Sequence, residues 1–488
     1  MPQLFKGKIE KKEFMEKRKE ILKSWKTGSE VDLRSAVEFQ RSLSEGRRTS
    51  SVLKQAASEG KILCQPRAGL TLLDHHLELL NFLKKNAKAD ILSTNVDTMT
   101  RQNRYQDAEN GLVESREIKK SLLDGFPIVS HGVDNCREII LNLDIPVQLR
   151  HGTPDSRLMA EIAYASGFND FVGGGISYNF PYAKDKNPAD TVSWWQYVDR
   201  LTGYYEDRGV NINRETFGPL TGTMVPPAIS VAVSIIEGIL AAEQGVIHLS
   251  LGYGQNGNLI QDTAALMALR EMADKYINDD LNLTDDIFIS TVFHEWLGGF
   301  PEDRAAGFAL INTGILSAAA AETDKIVVRS PGEAINTSCR EDLADGIRTT
   351  KHCLKIAKRQ DCFDMKLVEE EKSIIIKEAS AIIDRVKDIA DGFWAKGAVK
   401  AVDMGIIDVP FSSSTFNRGE VMPCRDSRGA VRFFNTGCLP FNDEIKEFHR
   451  EKIEERADKE KREVDFQMVI DDIYAAGRGL LSSSDFQN

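Results

Sequence analysis

Arginines at the ends of short apolar runs are the residues here best suited to chemistry. Arg67 closes KILCQPRAG, Arg101 and Arg104 follow the next run in VDTMTRQNRY, and Arg150, with His151 beside it, closes IPVQLRHG. A guanidinium is planar, always charged and able to grip a carboxylate through two parallel hydrogen bonds, each worth ~1.5–3 kcal/mol. One such arginine at a strand end commonly pairs with a neighbouring acid, but several facing one mouth would hold a small dianion. The stretch FVGGGISYNFPYAK adds Gly173 to Gly175, where missing side chains either form a simple bend or let a ligand approach the backbone. Tyr178 and Tyr182 lie four apart, and Pro181 between them favours a loop over a helical turn. His294 and Glu295 end a β-rich run and are weak candidates singly. Arg329 and Glu333, also four apart, could form their own salt bridge or hydrogen-bond a sugar. No H-E-x-x-H or other metal spacing occurs, so no metal site is expected, and neither G-x-S-x-G nor a P-loop is present.

These residues need strands to carry them. From about residue 60, short apolar runs ended by turn or charged residues alternate with helix-like stretches: KILCQPRAG, ADILSTNVD, FPIVSHG, IPVQLRHG, FVGGGIS, VNINRETFG, VIHLSLGYG, DIFISTVFHE and DKIVVRSP. Strand then helix, repeated, means a parallel sheet. A dinucleotide-binding open sheet would show G-x-G-x-x-G after its first strand, whereas here that strand ends in Gln65-Pro66-Arg67. Nine runs fit an α/β fold of the (β/α)8 TIM-barrel type with one run miscounted. The expected organisation is an N-terminal helical arm over 1–58, the barrel over 59–335, a helical segment over 336–400 and a C-terminal extension or cap over 401–488. In a barrel the site lies at the C-terminal ends of the strands, where the arginines stand.

Composition narrows the function classes. The chain has 488 residues, with 62 Lys plus Arg against 74 Asp plus Glu, a net charge of −12. An acidic chain with one short basic N-terminal tract presents no duplex-binding face. No apolar run is long enough for a membrane helix and no signal-peptide core is evident, so a cytoplasmic protein is expected. The seven cysteines, Cys64, Cys136, Cys339, Cys353, Cys362, Cys424 and Cys438, include no C-x-x-C pair and read as reduced thiols without a shared role.

Taken together, several strings resemble one family, the large (epsilon) component of glutamate mutase, also called methylaspartate mutase. They are QPRAG (65–69), TRQNRY (100–105), RHGTPDSRL (150–158), GGGISYN with PYAK (173–184), FGPLTGT with VPP (217–227), AAEQGV (241–246), GGFP (298–301) and FQMVIDDI (466–473), spanning nearly the whole chain. The resemblance implies an isomerase: a barrel that binds glutamate and the adenosyl end of adenosylcobalamin, with a small partner subunit supplying the Asp-x-His-x-x-Gly cobalamin-binding domain. Asp74-His75-His76 begins that motif here, but Leu79 stands at its glycine, so the partner is needed. The implied reaction is a radical interconversion of glutamate and 3-methylaspartate, in a heterotetramer built on a homodimer of this chain. Arg67, Arg101 and Arg150 match the family's grip on the substrate carboxylates; His151, Tyr178 and Tyr182 match its substrate-binding positions. Gly69, Phe217, Pro227, Arg329 and Glu333 match cofactor-facing positions, with Gly69 leaving room for the corrin edge.

Two positions depart from that pattern. Val172 stands where the family has a glutamate that binds the substrate ammonium, and an apolar side chain cannot pair with a buried cation. Asp170, on the same strand face, is one pleat deeper and shorter in reach. Arg329 replaces a lysine near the ribose, which keeps the charge but changes its geometry. The expected substrate is therefore glutamate, with a related dicarboxylate lacking the amine as the alternative, and a catalytically silent partner-binding paralogue as a third possibility.

Overall fold

The computed structural model describes residues 3–281, 287–335, 339–360 and 363–481; Cys362 lies outside them. Eight parallel strands follow one another around a barrel: β1 (Leu63–Gln65), β2 (Leu92–Asn95), β3 (Val147–Arg150), β4 (Asp170–Val172), β5 (Asn213–Glu215), β6 (His248–Gly254), β7 (Phe288–His294) and β8 (Lys325–Val327). From β2 to β8 each strand pairs with its sequence neighbour, and β8 pairs with β1. The seam between β1 and β2 is closed by single bonds, Asn95 N–H to Ala68 O at 2.7 Å and Asp90 N–H to Cys64 O at 3.1 Å. The expected (β/α)8 barrel is the fold.

The miscounted run is FPIVSHG. Only Phe126 reaches the sheet, in an isolated bridge to Val96. Pro127 then leads into the helical stretch Ile128–Leu141, broken at Gly132 (φ 74°), beyond which buried Val133, Cys136 and Ile140 recur at helical spacing. A short apolar run reads alike in a buried strand and a buried helix, so periodicity alone does not separate them.

The N-terminal helices Lys11–Leu22 and Leu33–Ser42 lie against the barrel helix Arg157–Ala165, and Thr49–Ser58 packs Leu53 and Ala56 against Leu63, Ile91 and Phe288 at the strand starts. Phe14 is fully buried with its ring 5.1 Å from that of Tyr197. Beyond the barrel come helices Arg340–Ala357, Met365–Ala390 and Trp394–Asp403, an antiparallel pair β9 (Val421–Arg425) and β10 (Val431–Thr436), and helices Asp443–Glu460 and Gln467–Ala476. This last part reaches the strand-end face of the barrel. Ser412 Oγ donates to Phe180 O at 2.9 Å, beyond β4, and Gly299 N–H donates to Ala476 O at 3.1 Å, beyond β7. Among the described residues, no helix is long and apolar enough to cross a membrane.

Candidate active site

The barrel interior is polar where such interiors are commonly filled by branched apolar side chains. Glu215, at the end of β5, accepts from Gln148 Nε2 at 2.7 Å and Lys325 Nζ at 2.7 Å, and pairs with Arg150 at 3.1 Å. Asp170 accepts from Gln148 at 2.8 Å and Asn213 at 2.9 Å. Burial alone would raise the Glu215 carboxyl, but Lys325 and Arg150 beside it hold it well below the ordinary glutamate value. Asp170, deeper in the same layer, is pushed up by burial despite Lys325. His294 Nε2 lies 3.3 Å from Glu215, and burial lowers its pKa to about 4, so the imidazole is neutral.

Above this layer, at the strand ends, opens a cavity of about 260 Å³. Arg67, Arg101, Arg150 and Arg329 line it, against only two acids, Asp124 and Glu295. Arg101 pairs with the exposed Asp124 at 3.0 Å, and Arg67 has no ion pair among the described residues. Burial raises the Glu295 carboxyl to about 8, so it is neutral at pH 7 and does not offset the guanidiniums. It accepts from Arg329 N–H at 2.6 Å and Thr350 Oγ1 at 3.2 Å. The Arg329 guanidinium is lowered to about 10 by burial, with Arg67 close by, and pairs with Glu333 at 2.9 Å.

His151 also lines the cavity. Its Nδ1 accepts the Thr153 N–H at 3.2 Å, which places the ring proton on Nε2, and that buried N–H has no partner among the described residues. Burial, then Arg214 and Arg150 nearby, keeps the ring neutral by driving its pKa well below the usual value. It is a neutral donor at the wall of a cationic cavity.

The structure thus brings Arg67, Arg101, Arg150, His151, Tyr178, Tyr182, Phe217 and Arg329 to one cavity wall. It leaves Arg104 outside, exposed and paired with Asp107 at 2.7 Å. Tyr178 and Tyr182 do not flank a loop: Asn179–Tyr182 is a helical turn, with Tyr182 N–H bonded to Tyr178 O at 3.2 Å. Pro181 is tolerated because first-turn residues need no intrahelical donor. The two rings meet edge to face, 5.2 Å apart. Val172 is fully buried and is not part of the lining. Gly69 is also off the cavity, and a Cβ there would collide with the Asn95 carbonyl, so this glycine serves the approach of β2 to the end of β1. Nor do the three glycines admit a ligand. A Cβ on Gly173 would strike Tyr178 and Trp195, one on Gly174 the Glu237 carboxylate, and one on Gly175 the Val192 backbone. Pro227 opens the helix Pro227–Glu243 away from the lining.

Sequence reasoning passed over Glu215 and Lys325. A charged residue inside a three-residue buried strand was the available signal, since such a group must be paired to remain there.

Fold and site define a (β/α)8-barrel protein with a cationic strand-end cavity sized for a small anion. The chain belongs to the methylaspartate mutase E chain (MutE) family, whose sequence model matches residues 43–484. It is similar to the glutamate mutase epsilon subunit of Desulfitobacterium hafniense, at 50% identity over 97% of both chains. It is also similar to those of Treponema denticola, at 45% over 97% of both chains, and Haloarcula marismortui, at 46% over 94% of this chain and 92% of that one.

Proposed function

We propose that this chain is the substrate-binding subunit of an adenosylcobalamin-dependent mutase that interconverts glutamate and 3-methylaspartate. The observation that carries the reading is the convergence of Arg67, Arg101 and Arg150 on one cavity, with Arg329 beside them. Two carboxylates of one small substrate meet more guanidiniums there than the local acids neutralise, and charge-assisted bonds fix its orientation. The His151 Nε2–H donates to a substrate oxygen without adding charge, and Tyr178 closes the cavity from the β4 side. The rings of Tyr178 and Phe217, with Trp195 packed behind Tyr178, close one side of the cavity and limit the entry of water.

The residues fit an adenosyl group. Arg329 Nε is a buried donor with no partner among the described residues, and the Glu333 carboxylate beside it suits a ribose hydroxyl. When bound, adenosylcobalamin supplies a carbon-centred radical that removes hydrogen from the substrate. Arg329 and Glu333 would hold its ribose, and Phe217 would pack against it. The name epsilon subunit borne by the relatives supports a separate partner subunit, which in this reading would carry the corrin.

Val172 bears on the substrate. In the ladder it stands beside Glu215, whose carboxylate lies behind Arg150 and His294 and is the acid nearest in register for a substrate ammonium. The test is hydrogen exchange into substrate by this chain mixed with a cobalamin subunit. Exchange with glutamate supports the reading; exchange only with glutarate-like acids transfers it to a dicarboxylate without the amine, and exchange with neither overturns it.

A further inference from the structure

The helix Pro227–Glu243 is buried along almost its whole length, and from Pro227 to Ala242 its one charged residue is Glu237. That carboxylate faces the back of the tri-glycine turn. Its Oε1 accepts the backbone N–H groups of Ile176 and Ser177, both at 2.8 Å, and its Oε2 accepts the Ser177 hydroxyl at 2.8 Å. It occupies the space that a Cβ on Gly174 would need. On the neighbouring side Arg214, anchored on Asp199 at 2.7 Å, donates to Gly173 O at 2.6 Å. The segment that carries Tyr178 therefore receives side-chain bonds from behind, with Thr191 Oγ1 donating to Gly175 O at 2.6 Å, beside the backbone bonds from Gly173 N–H to Glu215 O at 2.9 Å and from Tyr178 N–H to Gly174 O at 3.2 Å. No apolar residue at position 237 could accept those two backbone donors, and buried N–H groups left unpaired are costly.

We propose that Glu237 is a positioning residue that holds the Gly173–Ser177 turn in place, and that through this turn it sets the stance of Tyr178 at the substrate cavity. The proposal rests on the dicarboxylate-binding reading and adds a residue that does not touch the cavity. Gly174 belongs to the same device, since an alanine there would expel the carboxylate.

The test measures glutamate and glutarate binding to the full chain by calorimetry, together with thermal melting, for the unaltered protein and the variants Glu237→Ala, Glu237→Gln, Ser177→Ala and Glu161→Ala. Glu161 is an equally buried acid bonded to Arg18 and Tyr197, away from the cavity, so it reports loss of a buried acid alone. Glu237→Ala is expected to weaken dicarboxylate binding at least tenfold at temperatures well below its melting point. Glu237→Gln, which keeps an acceptor for the two N–H groups, should stay within about threefold, Ser177→Ala should lose about two- to fivefold, and Glu161→Ala should lower melting with affinity unchanged. If Glu237→Ala does not fold, the Ser177→Ala and Gly174→Ala variants carry the decision, and unchanged affinity in both overturns the proposal. Unchanged affinity in a folded Glu237→Ala overturns it as well. Failure of the unaltered protein to bind either acid overturns the functional reading instead, so the two failures are distinct.

Discussion

The barrel interior and the cavity above it are built from the same residue types and differ in how those charges are matched. Inside, Lys325 and Arg150 face Asp170 and Glu215, two cations against two carboxyl groups, tied by Gln148 and Asn213. At the mouth, Arg67, Arg101 and Arg329 face Asp124 and Glu333, while Glu295 is held neutral and Arg67 is left unmatched among the described residues. A matched buried network defends the fold, because removing one member strands another. An unmatched cationic rim does little for the fold and creates demand for an anionic ligand. Arg150 belongs to both regions, which lets the interior fix the orientation of one of the arginines at the mouth.

Breaking the interior should give the largest effect. Lys325→Met leaves Glu215 and Asp170 with Arg150 as their only nearby full charge, and urea denaturation is expected to show a loss of ~3–5 kcal/mol. Breaking the mouth should separate binding from stability. Arg67→Ala is expected to weaken glutamate binding by at least ~10-fold, the loss of one charge-assisted bond, while the melting temperature stays nearly unchanged. An equal fall in both would erase the distinction between the regions.

The charge at the mouth also depends on pH. The Glu295 carboxyl is raised from 4.5 to about 8 by burial, so the folded state holds a proton that the unfolded chain releases near pH 4.5. Its contribution to stability is therefore full below pH 4.5 and declines as pH rises toward 8. Dicarboxylate affinity should likewise fall as pH passes through about 8, when the mouth gains a negative charge, and Glu295→Gln should flatten that fall. The smallest effect belongs to Arg104. Its exposed pair with Asp107 is worth ~0.3–0.5 kcal/mol, so Arg104→Ala should leave both affinity and melting essentially unaltered. A clear loss of affinity there would move the edge of the cavity.

Much of this architecture was legible in the chain. The eight strands, the arginines at their ends and the later helical segment follow from apolar runs, breakers and helical spacing, all local properties. FPIVSHG misled because burial on all sides erases the periodicity that tells strand from helix. Tyr178 and Tyr182 misled because Pro181 falls in the first turn, the one part of a helix that tolerates it. Val172 showed as a departure from the family strings, but nothing local placed Glu215 beside it, since the two come from different strands and meet only through the β4–β5 register.

Residue order by itself determined the family, the barrel and the set of guanidiniums, because strand patterning is local and the motif strings are long. Only the tertiary structure decided which cations remain in demand of a ligand. That depends on which acids lie within a few ångströms once the barrel closes. It showed Arg104 outside, Arg150 shared with Glu215, and the three glycines filled from behind by the protein's own side chains. Charge matching and steric filling are properties of neighbours in space, and a closed sheet makes neighbours of residues more than a hundred positions apart, as Lys325 and Glu215 are.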